Sequence, residues 1–500
     1  MELQQAIEKY YEYRTKLKAL GYVNYLISWD TETEAPLGCL EERSKQVGVL
    51  SEMSYQLERS NEYIELVSYL NNNIDKLDDI LKVEIKKTNK ALQQSLKIPM
   101  DELVEFSILM SKSASIWANA KVNNDYSLFK DTLAEIINFS KKMVKYLETE
   151  ELKGYNVLLD QYEEGMTKEK YDKFFALLKE EIVPLVKEIS KQQKPINKIV
   201  NKKYDINKQK IFADYLMDVM CFDKNRGLMK ESEHPFTSGY GSSDVRVTNH
   251  YYEDLVLSSV FSAIHELGHG TYEQQCNPEL DSTYLSGGTS MAMHESQSRF
   301  YENIVGRSYE FWKRHYPKLK ELFEEELSDV SLEEFYRYAN DVECSLIRVE
   351  ADELTYPLHI MVRYEMEKMI IEGNVSVDEL PTIWNRLYKE YLGLDVPNDK
   401  LGILQDVHWS GGSFGYFPTY ALGSAYGAQL LYAMKKDLNF EEECSKDNLK
   451  AINEWLKEKI HIYGATKTPE ELLIASTGEA FDAKYYVKYL KEKYQKIYNI

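Results

Sequence analysis

The chain has 500 residues, 43% hydrophobic and 29% charged, the proportions of a soluble globular protein with room for a large core. Its 61 basic residues against 82 acidic ones give a formal charge of −21, which repels nucleic acid and anionic membranes and excludes both as expected partners. Twelve prolines and 23 glycines are few for this length, which favours long regular elements.

Residues 1–190 read as a series of long helices. Leu3, Ile7, Tyr10, Tyr11, Tyr13, Leu17 and Leu20 mark one amphipathic face, and the same periodicity returns across 83–96, 101–119 and 126–147. Between the first two helices, the stretch from Trp29 to Gly38 reads as a loop pinned by a buried tryptophan, with an extended turn at Pro36 and Gly38. The opening residues lack the basic-then-apolar order of a secretory signal. Cys39, Cys221, Cys276, Cys344 and Cys444 are scattered and odd in number, so free thiols in a reducing cytoplasm are expected. Residues 191–210, rich in lysine and asparagine with a single proline, read as a connector inside one domain of 1–500. It would part an N-terminal lobe, 1–200, from a catalytic portion, 211–500.

After a helix over 211–219 the texture changes. His234-Pro235-Phe236-Thr237-Ser238-Gly239-Tyr240-Gly241 is turn-rich, and Asp244-Val245-Arg246-Val247-Thr248 alternates polar and apolar, which predicts a short strand or hairpin. The edge of such a strand can hold an extended peptide by main-chain hydrogen bonds. Soon after, Phe261 to Gly270 reads Phe-Ser-Ala-Ile-His-Glu-Leu-Gly-His-Gly. Leu257, Val260, Phe261, Ile264 and Leu267 form an apolar stripe at helical spacing. On that helix His265 and His269 share a face and can both reach one divalent ion, while Glu266 reaches a water beside it. Histidines that only pack or hydrogen-bond are the bland alternative. Gly268 is unfavourable inside a helix by about 1 kcal/mol relative to alanine, which marks a close approach by another backbone or a ligand.

A catalytic site of this kind needs a third protein ligand and one open position. Glu295 stands 26 residues after His269 in the next helix-like segment, and Glu273, Asp281, Glu302 and His294 compete with it by position. Cys276 reads as a buried thiol. Farther on, Leu346 to Asp352 looks like a buried helix carrying Arg348, for which a salt bridge to Asp352 is the structural alternative to a binding role. His408 beside Trp409 reads either as a core histidine or as a functional one. The apolar-leaning stretch from Tyr416 to Met434 is broken by Pro418, Thr419, Ser424 and Gln429 and does not read as a membrane span.

Together these motifs resemble the carboxypeptidase Taq family of zinc-dependent metallocarboxypeptidases, from the Trp29-Asp30 stretch to Thr477-Gly478-Glu479. The matching runs are His234-Pro235-Phe236, Asp244-x-Arg246-x-Thr248, His265-Glu266-x-x-His269, His294-Glu295-Ser296, Ile347-Arg348-x-x-Ala351-Asp352 and Gly402-x-x-Gln405-Asp406-x-His408-Trp409, with no departure at any of them. The resemblance implies an all-α, gluzincin-type fold whose long helices form two walls of a deep groove, with a small β-sheet at its edge. It implies a homodimer and the removal of single residues from free peptide C-termini with broad preference. Zinc, with cobalt as an activating substitute, would be held by His265, His269 and Glu295, and Glu266 would act as general base.

His408 with Tyr420, or with Tyr416 as the alternative phenol, would donate to the oxyanion. Arg246 and Arg348 are the candidates for the substrate carboxylate, Arg348 preferred because its neighbours look buried, and His234 is counted with the substrate-binding residues. The rivals are a zinc oligoendopeptidase with substrate-length restriction and a helical scaffold that has kept a metal site without turnover.

Overall fold

The computed structural model describes residues 2–194, 196–373 and 375–500, so the proline of the connector, Pro195, lies outside the described residues. Helices run over Leu3–Thr33, Leu40–Glu58, Asn61–Asn72, Asp79–Leu96, Met100–Asn123 and Ser127–Leu147, in line with the periodicity of this half of the chain. The first is longer than expected: Trp29 lies inside it, not in a loop. Thr31 and Thr33 satisfy their hydroxyls on the carbonyls of Ile27 and Trp29, one turn back, and the helix stops only where Pro36 forbids another turn. Trp29 is nonetheless buried, edge-on to Phe236 with ring centroids 5.5 Å apart.

Apolar side chains collect into two cores. A smaller one gathers residues of the first helices, among them Tyr10, Leu66, Val67, Leu70 and Ile85. The larger one begins at Ala120 and runs to the C-terminal helix, Lys484–Tyr498.

The expected strand forms as β3 (Val245–Asn249), which pairs antiparallel with β2 (Thr237–Gly239), Thr237 opposite Val247. A further strand, β1 (Gly227–Glu231), pairs parallel to β3 on its other side, giving the order β1-β3-β2. Gly-Leu-Met-Lys-Glu has no clean two-residue alternation, so β1 carries no strand signal of its own.

Three helices set the centre of the molecule. The His265 helix, Val256–Gln275, is buried on nearly every side, as befits its apolar composition. Against it lies the Glu295 helix, Met291–Arg299, so close that a Cβ on Gly268 would stand 2.9 Å from Ser298 Cα. Only glycine admits that contact, which is the close approach its position predicted. The Tyr420 helix, Pro418–Asp437, crosses the Glu295 helix equally tightly: a Cβ on Gly423 would meet Glu295 Cβ and Cγ at 2.8 Å. Its burial accounts for the apolar-leaning stretch there; among the described residues, no helix is long and apolar enough to cross a membrane.

The segment Leu346 to Asp352 departs from the expectation of a helix. It holds one tight turn, Arg348–Glu350, and Asp352 accepts from the backbone N–H groups of Leu354 and Thr355 in the turn that leads into the helix Tyr356–Glu372.

Candidate metal centre

One atom each of His265, His269 and Glu295 converges within 4.8 Å. The two histidines are one turn apart on a rigid helix, and Glu295 arrives from the packed neighbour that Gly268 and Gly423 let close in. Glu295 Oε2 lies 3.7 Å from His265 Nε2 and 3.4 Å from His269 Nε2. Its other oxygen is occupied: Arg299 Nε donates to Oε1 at 2.7 Å. A single carboxylate oxygen is therefore turned to the imidazoles. Two imidazole nitrogens and one carboxylate oxygen, the latter also accepting from Ser298 Oγ at 3.0 Å, are a donor set that suits a divalent transition metal.

Each imidazole is aimed from behind. Glu302 Oε2 accepts from His265 Nδ1 at 2.9 Å, and Arg299 and Arg307 hold Glu302 in turn. The support of His269 runs through a second ring. His294 Nε2 lies 2.7 Å from Glu273 Oε1, and His294 Nδ1 lies 2.5 Å from His269 Nδ1. An ionised carboxylate only accepts, so His294 Nε2–H donates to Glu273 Oε1, and a neutral His294 then accepts at Nδ1 from His269 Nδ1–H. In that tautomer His269 Nε2 keeps the lone pair that a metal ligand needs. Burial pulls the His269 imidazole down to about 3, so it stays neutral. On Glu295 burial works the other way, but Arg299 and His265 hold the carboxyl well below its usual range.

Glu266 sits beside these ligands, buried, and burial pushes its carboxyl above the ordinary value. Thr237 Oγ1 donates to its Oε2 at 2.6 Å. The helix supplies this carboxylate, and the edge of the sheet holds it.

The competing ligands fall elsewhere. Glu302, Glu273 and His294 stand behind the imidazoles, Asp281 is bound to Ser242 and Ser286, and Cys276 is a buried thiol against the Tyr272 carbonyl.

A second cluster flanks Glu295. The Arg299 guanidinium lies 4.5 Å from the centre of the Tyr356 ring, and the Tyr356 hydroxyl accepts from Arg348 Nη1 at 3.1 Å. Arg348 does not pair with Asp352, which is spent on the backbone of its turn; Nε and Nη2 both reach Asp406 Oδ1, at 3.0 and 2.8 Å, while Arg363 takes Oδ2. His408 Nε2 is 3.3 Å from the Tyr420 hydroxyl, and the Tyr416 and Tyr420 rings meet edge to face at 5.2 Å. Burial, then Arg348, pulls His408 down to about 4, which leaves a neutral imidazole at pH 7. Burial and the charge of Glu295 raise the Tyr416 hydroxyl, whereas the Tyr420 hydroxyl is raised by burial and by Tyr356.

Arg246 lies on the sheet side, bidentate to Asp244 at 2.7 and 3.0 Å and over the rings of Tyr25 and Trp29. His234 stands exposed on the loop before β2, its carbonyl accepting from Ser232. The structure does not bring that ring to the metal ligands.

Sequence reasoning missed Arg299 and Thr237. Arg299 and Glu302 follow Glu295 by four and seven residues, one helical face, so they become legible once Glu295 is placed. Thr237 has no such signal, since a strand delivers it.

The family model for the carboxypeptidase Taq (M32) metallopeptidases matches residues 9–494. The chain is 40% identical to Carboxypeptidase 1 of Bacillus subtilis over 100% of both chains, and 35% identical to Thermostable carboxypeptidase 1 of Pyrococcus furiosus over 98% of each. Among solved structures, it superposes on the M32 carboxypeptidase from Deinococcus radiodurans with a TM-score of 0.95, at 31% identity and over 99% of this chain and 100% of that one. On metallocarboxypeptidase 1 of Trypanosoma cruzi the TM-score is 0.93, at 31% identity over 98% of this chain and 99% of that one.

Proposed function

This chain belongs to the carboxypeptidase Taq (M32) metallopeptidase family and is a metallocarboxypeptidase, and from that premise we propose that it releases single residues from free peptide C-termini with broad preference, using Glu266 as general base. The observation that carries the reading is the convergence of His265, His269 and Glu295 beside a carboxylate that is not itself a ligand. A purely structural metal site has no use for that fourth group.

A divalent ion, zinc with cobalt as substitute, would be held by those three side chains and would supply Lewis acidity to the scissile carbonyl and a lowered pKa to the attacking water. Glu266 takes the proton of that water and returns it to the leaving amine, so one carboxyl acts first as base and then as acid. His408, neutral at pH 7, and a phenol give further hydrogen bonds to the developing oxyanion. Tyr420, whose hydroxyl lies 3.3 Å from His408 Nε2, supplies the phenol, with Tyr416 as the alternative. Arg348 or Arg246 holds the substrate carboxylate, and the free edge of β2 aligns the peptide; His234, on the approach to β2, is a rim contact for longer substrates.

Peptides with a free C-terminus and a second copy of the chain are its partners on this reading. Five free thiols, Cys221 among them exposed, support a reducing compartment. The oligoendopeptidase alternative is not favoured, since the relatives are named carboxypeptidases.

The test is digestion of one unstructured peptide, offered with a free and with an amidated C-terminus, by metal-free, zinc-loaded and cobalt-loaded protein. A ladder of single-residue losses from the free end, only with metal, is the expected result. Internal cuts in both peptides would overturn it.

A further inference from the structure

Thr237 opens β2, and its single hydroxyl lies 2.6 Å from Glu266 Oε2 and 2.9 Å from the Glu266 carbonyl oxygen. Both acceptors belong to one residue, one from its side chain and one from its backbone. A threonine hydroxyl has one proton to donate. The shorter contact, 2.6 Å to the carboxylate oxygen, takes that proton, and Oγ1 itself is placed twice over: the β-branched side chain has little freedom at χ1, and the backbone of Thr237 is paired with Val247 in the sheet. Glu266 Oε2 is thus held by an element other than its own helix.

We propose that Thr237 is a positioning residue for the general base: it pins Glu266 Oε2, leaves Oε1 as the oxygen that takes and returns the proton, and ties the base to the strand that aligns the substrate. The inference rests on the reading of Glu266 as base. Without the hydroxyl the Glu266 carboxylate can swing about its last two torsions, and positioning errors of about 1 Å at a reacting group are worth as much as 10²-fold in rate. The step itself is unchanged. One water proton passes to Glu266 Oε1 and from there to the amine nitrogen as the C–N bond breaks, while the Thr237 O–H bond stays intact throughout.

The link to β2 has a second consequence. A peptide that adds to the free edge of β2 is placed in register with Thr237, and through it with Glu266, so docking and proton transfer share one rigid support. Substrate binding should be insensitive to the hydroxyl and turnover sensitive to it, because the strand's main chain makes the docking bonds.

The experiment compares Thr237→Val, which keeps the shape and removes the hydroxyl, with Thr237→Ser, which keeps the hydroxyl. For zinc-loaded protein, we expect Thr237→Val to lower kcat by about 10-fold or more at unchanged KM, with one equivalent of metal still bound, and Thr237→Ser to recover kcat to within about 3-fold. A Thr237→Val enzyme with wild-type kcat overturns the inference. So does a Thr237→Ser enzyme as slow as the valine variant, which would assign the loss to packing, or a valine variant that unfolds or sheds its metal, which would make the role structural. Glu266→Gln separates this from the parent reading. An active Glu266→Gln enzyme refutes Glu266 as base, whereas an inactive one beside a fully active Thr237→Val enzyme refutes only the role of Thr237.

Discussion

Glu302 Oε2 lies 2.9 Å from His265 Nδ1 while Glu302 Oε1 is held 3.0 Å from Arg307, so the carboxylate that orients this imidazole is itself fixed from the far side. Burial would raise the Glu302 carboxyl, but Arg299 and His265 override it and hold it well below the ordinary range. It therefore stays an ionised acceptor. Glu302→Gln keeps the shape and loses the charge, and should weaken metal binding by about 10- to 100-fold. Chelator competition on the purified variant measures this directly. His294→Ala should do the same through His269, and an affinity equal to wild type in both would detach these residues from the site.

The two imidazoles and the carboxylate of Glu266 were legible as neighbours in the sequence because all three lie within one helical turn of each other, where spacing alone decides which side chains lie close. The third ligand needed more. Glu295 is separated from His269 by a turn and a helix start, and spacing left it among four competitors; only the wider set of motifs singled it out. The reason appears in the packing, where Gly268 and Gly423 let three helices come together around Glu295. Arg348 shows the limit of local reasoning. Its partner is Asp406, 58 residues away, while the near acid Asp352 accepts from the backbone of the turn before the next helix. Arg363, which completes that buried cluster, had no sequence signal, and β1 was silent for the same reason: its pairing with β3 is a tertiary choice that its five residues do not encode.

Gly423 offers a test of how tightly that packing is set. An alanine there would bring its Cβ to 2.8 Å from Glu295 Cβ and Cγ, so the Tyr420 helix must move off the Glu295 helix. Overpacking of this kind typically costs about 1–3 kcal/mol, and here it should also lower metal affinity because it displaces a ligand. Gly48, on an exposed helix with no atom within 4 Å of its would-be Cβ, is the control. Gly48→Ala should stabilise by about 0.5–1 kcal/mol and leave metal binding untouched. Denaturant unfolding of the apo proteins gives the first comparison and chelator competition the second.

His315 predicts a pH dependence away from the metal centre. It is fully buried, hydrogen-bonded through Nδ1 to the Tyr215 hydroxyl at 2.7 Å, and burial with the nearby Arg314 pulls it down to about 4. An unfolded histidine titrates near 6.5, so below that value the unfolded chain binds a proton that the folded one refuses. Its contribution to stability is present above pH 6.5 and is lost as pH falls toward 4. In His315→Gln that dependence disappears, so the stability difference between wild type and variant should change by about 1.4 kcal/mol per pH unit across this window, to the disadvantage of wild type as pH falls. Urea titrations at several pH values would show it; a difference independent of pH would mean that the ring titrates in the fold as it does in the unfolded chain.

The proposed demand for a free C-terminus can be tested at the two arginines. Arg348 is almost wholly buried in the cluster that adjoins Glu295, with Asp406 on one side of its guanidinium and Tyr356 on the other. One N–H on each terminal nitrogen remains, a fork suited to a carboxylate. Arg246 has the same fork free, since Asp244 takes its Nε and one Nη2 hydrogen, and its side chain is more exposed, 20% against 7%. Burial favours Arg348, because the pair it forms with a substrate is screened less and is worth more. Arg348→Ala should therefore lower kcat/KM on free peptides by on the order of 10²-fold while changing residual cleavage of amidated peptides little. Arg246→Ala should act mainly on KM, through the Tyr25 and Trp29 contacts that hold the first helix against the sheet. Steady-state kinetics on matched free and amidated peptides separate the two. A larger selective loss in Arg246→Ala would transfer the carboxylate to the sheet side of the groove, and the same loss on both peptides in both variants would assign the two arginines to holding the walls together.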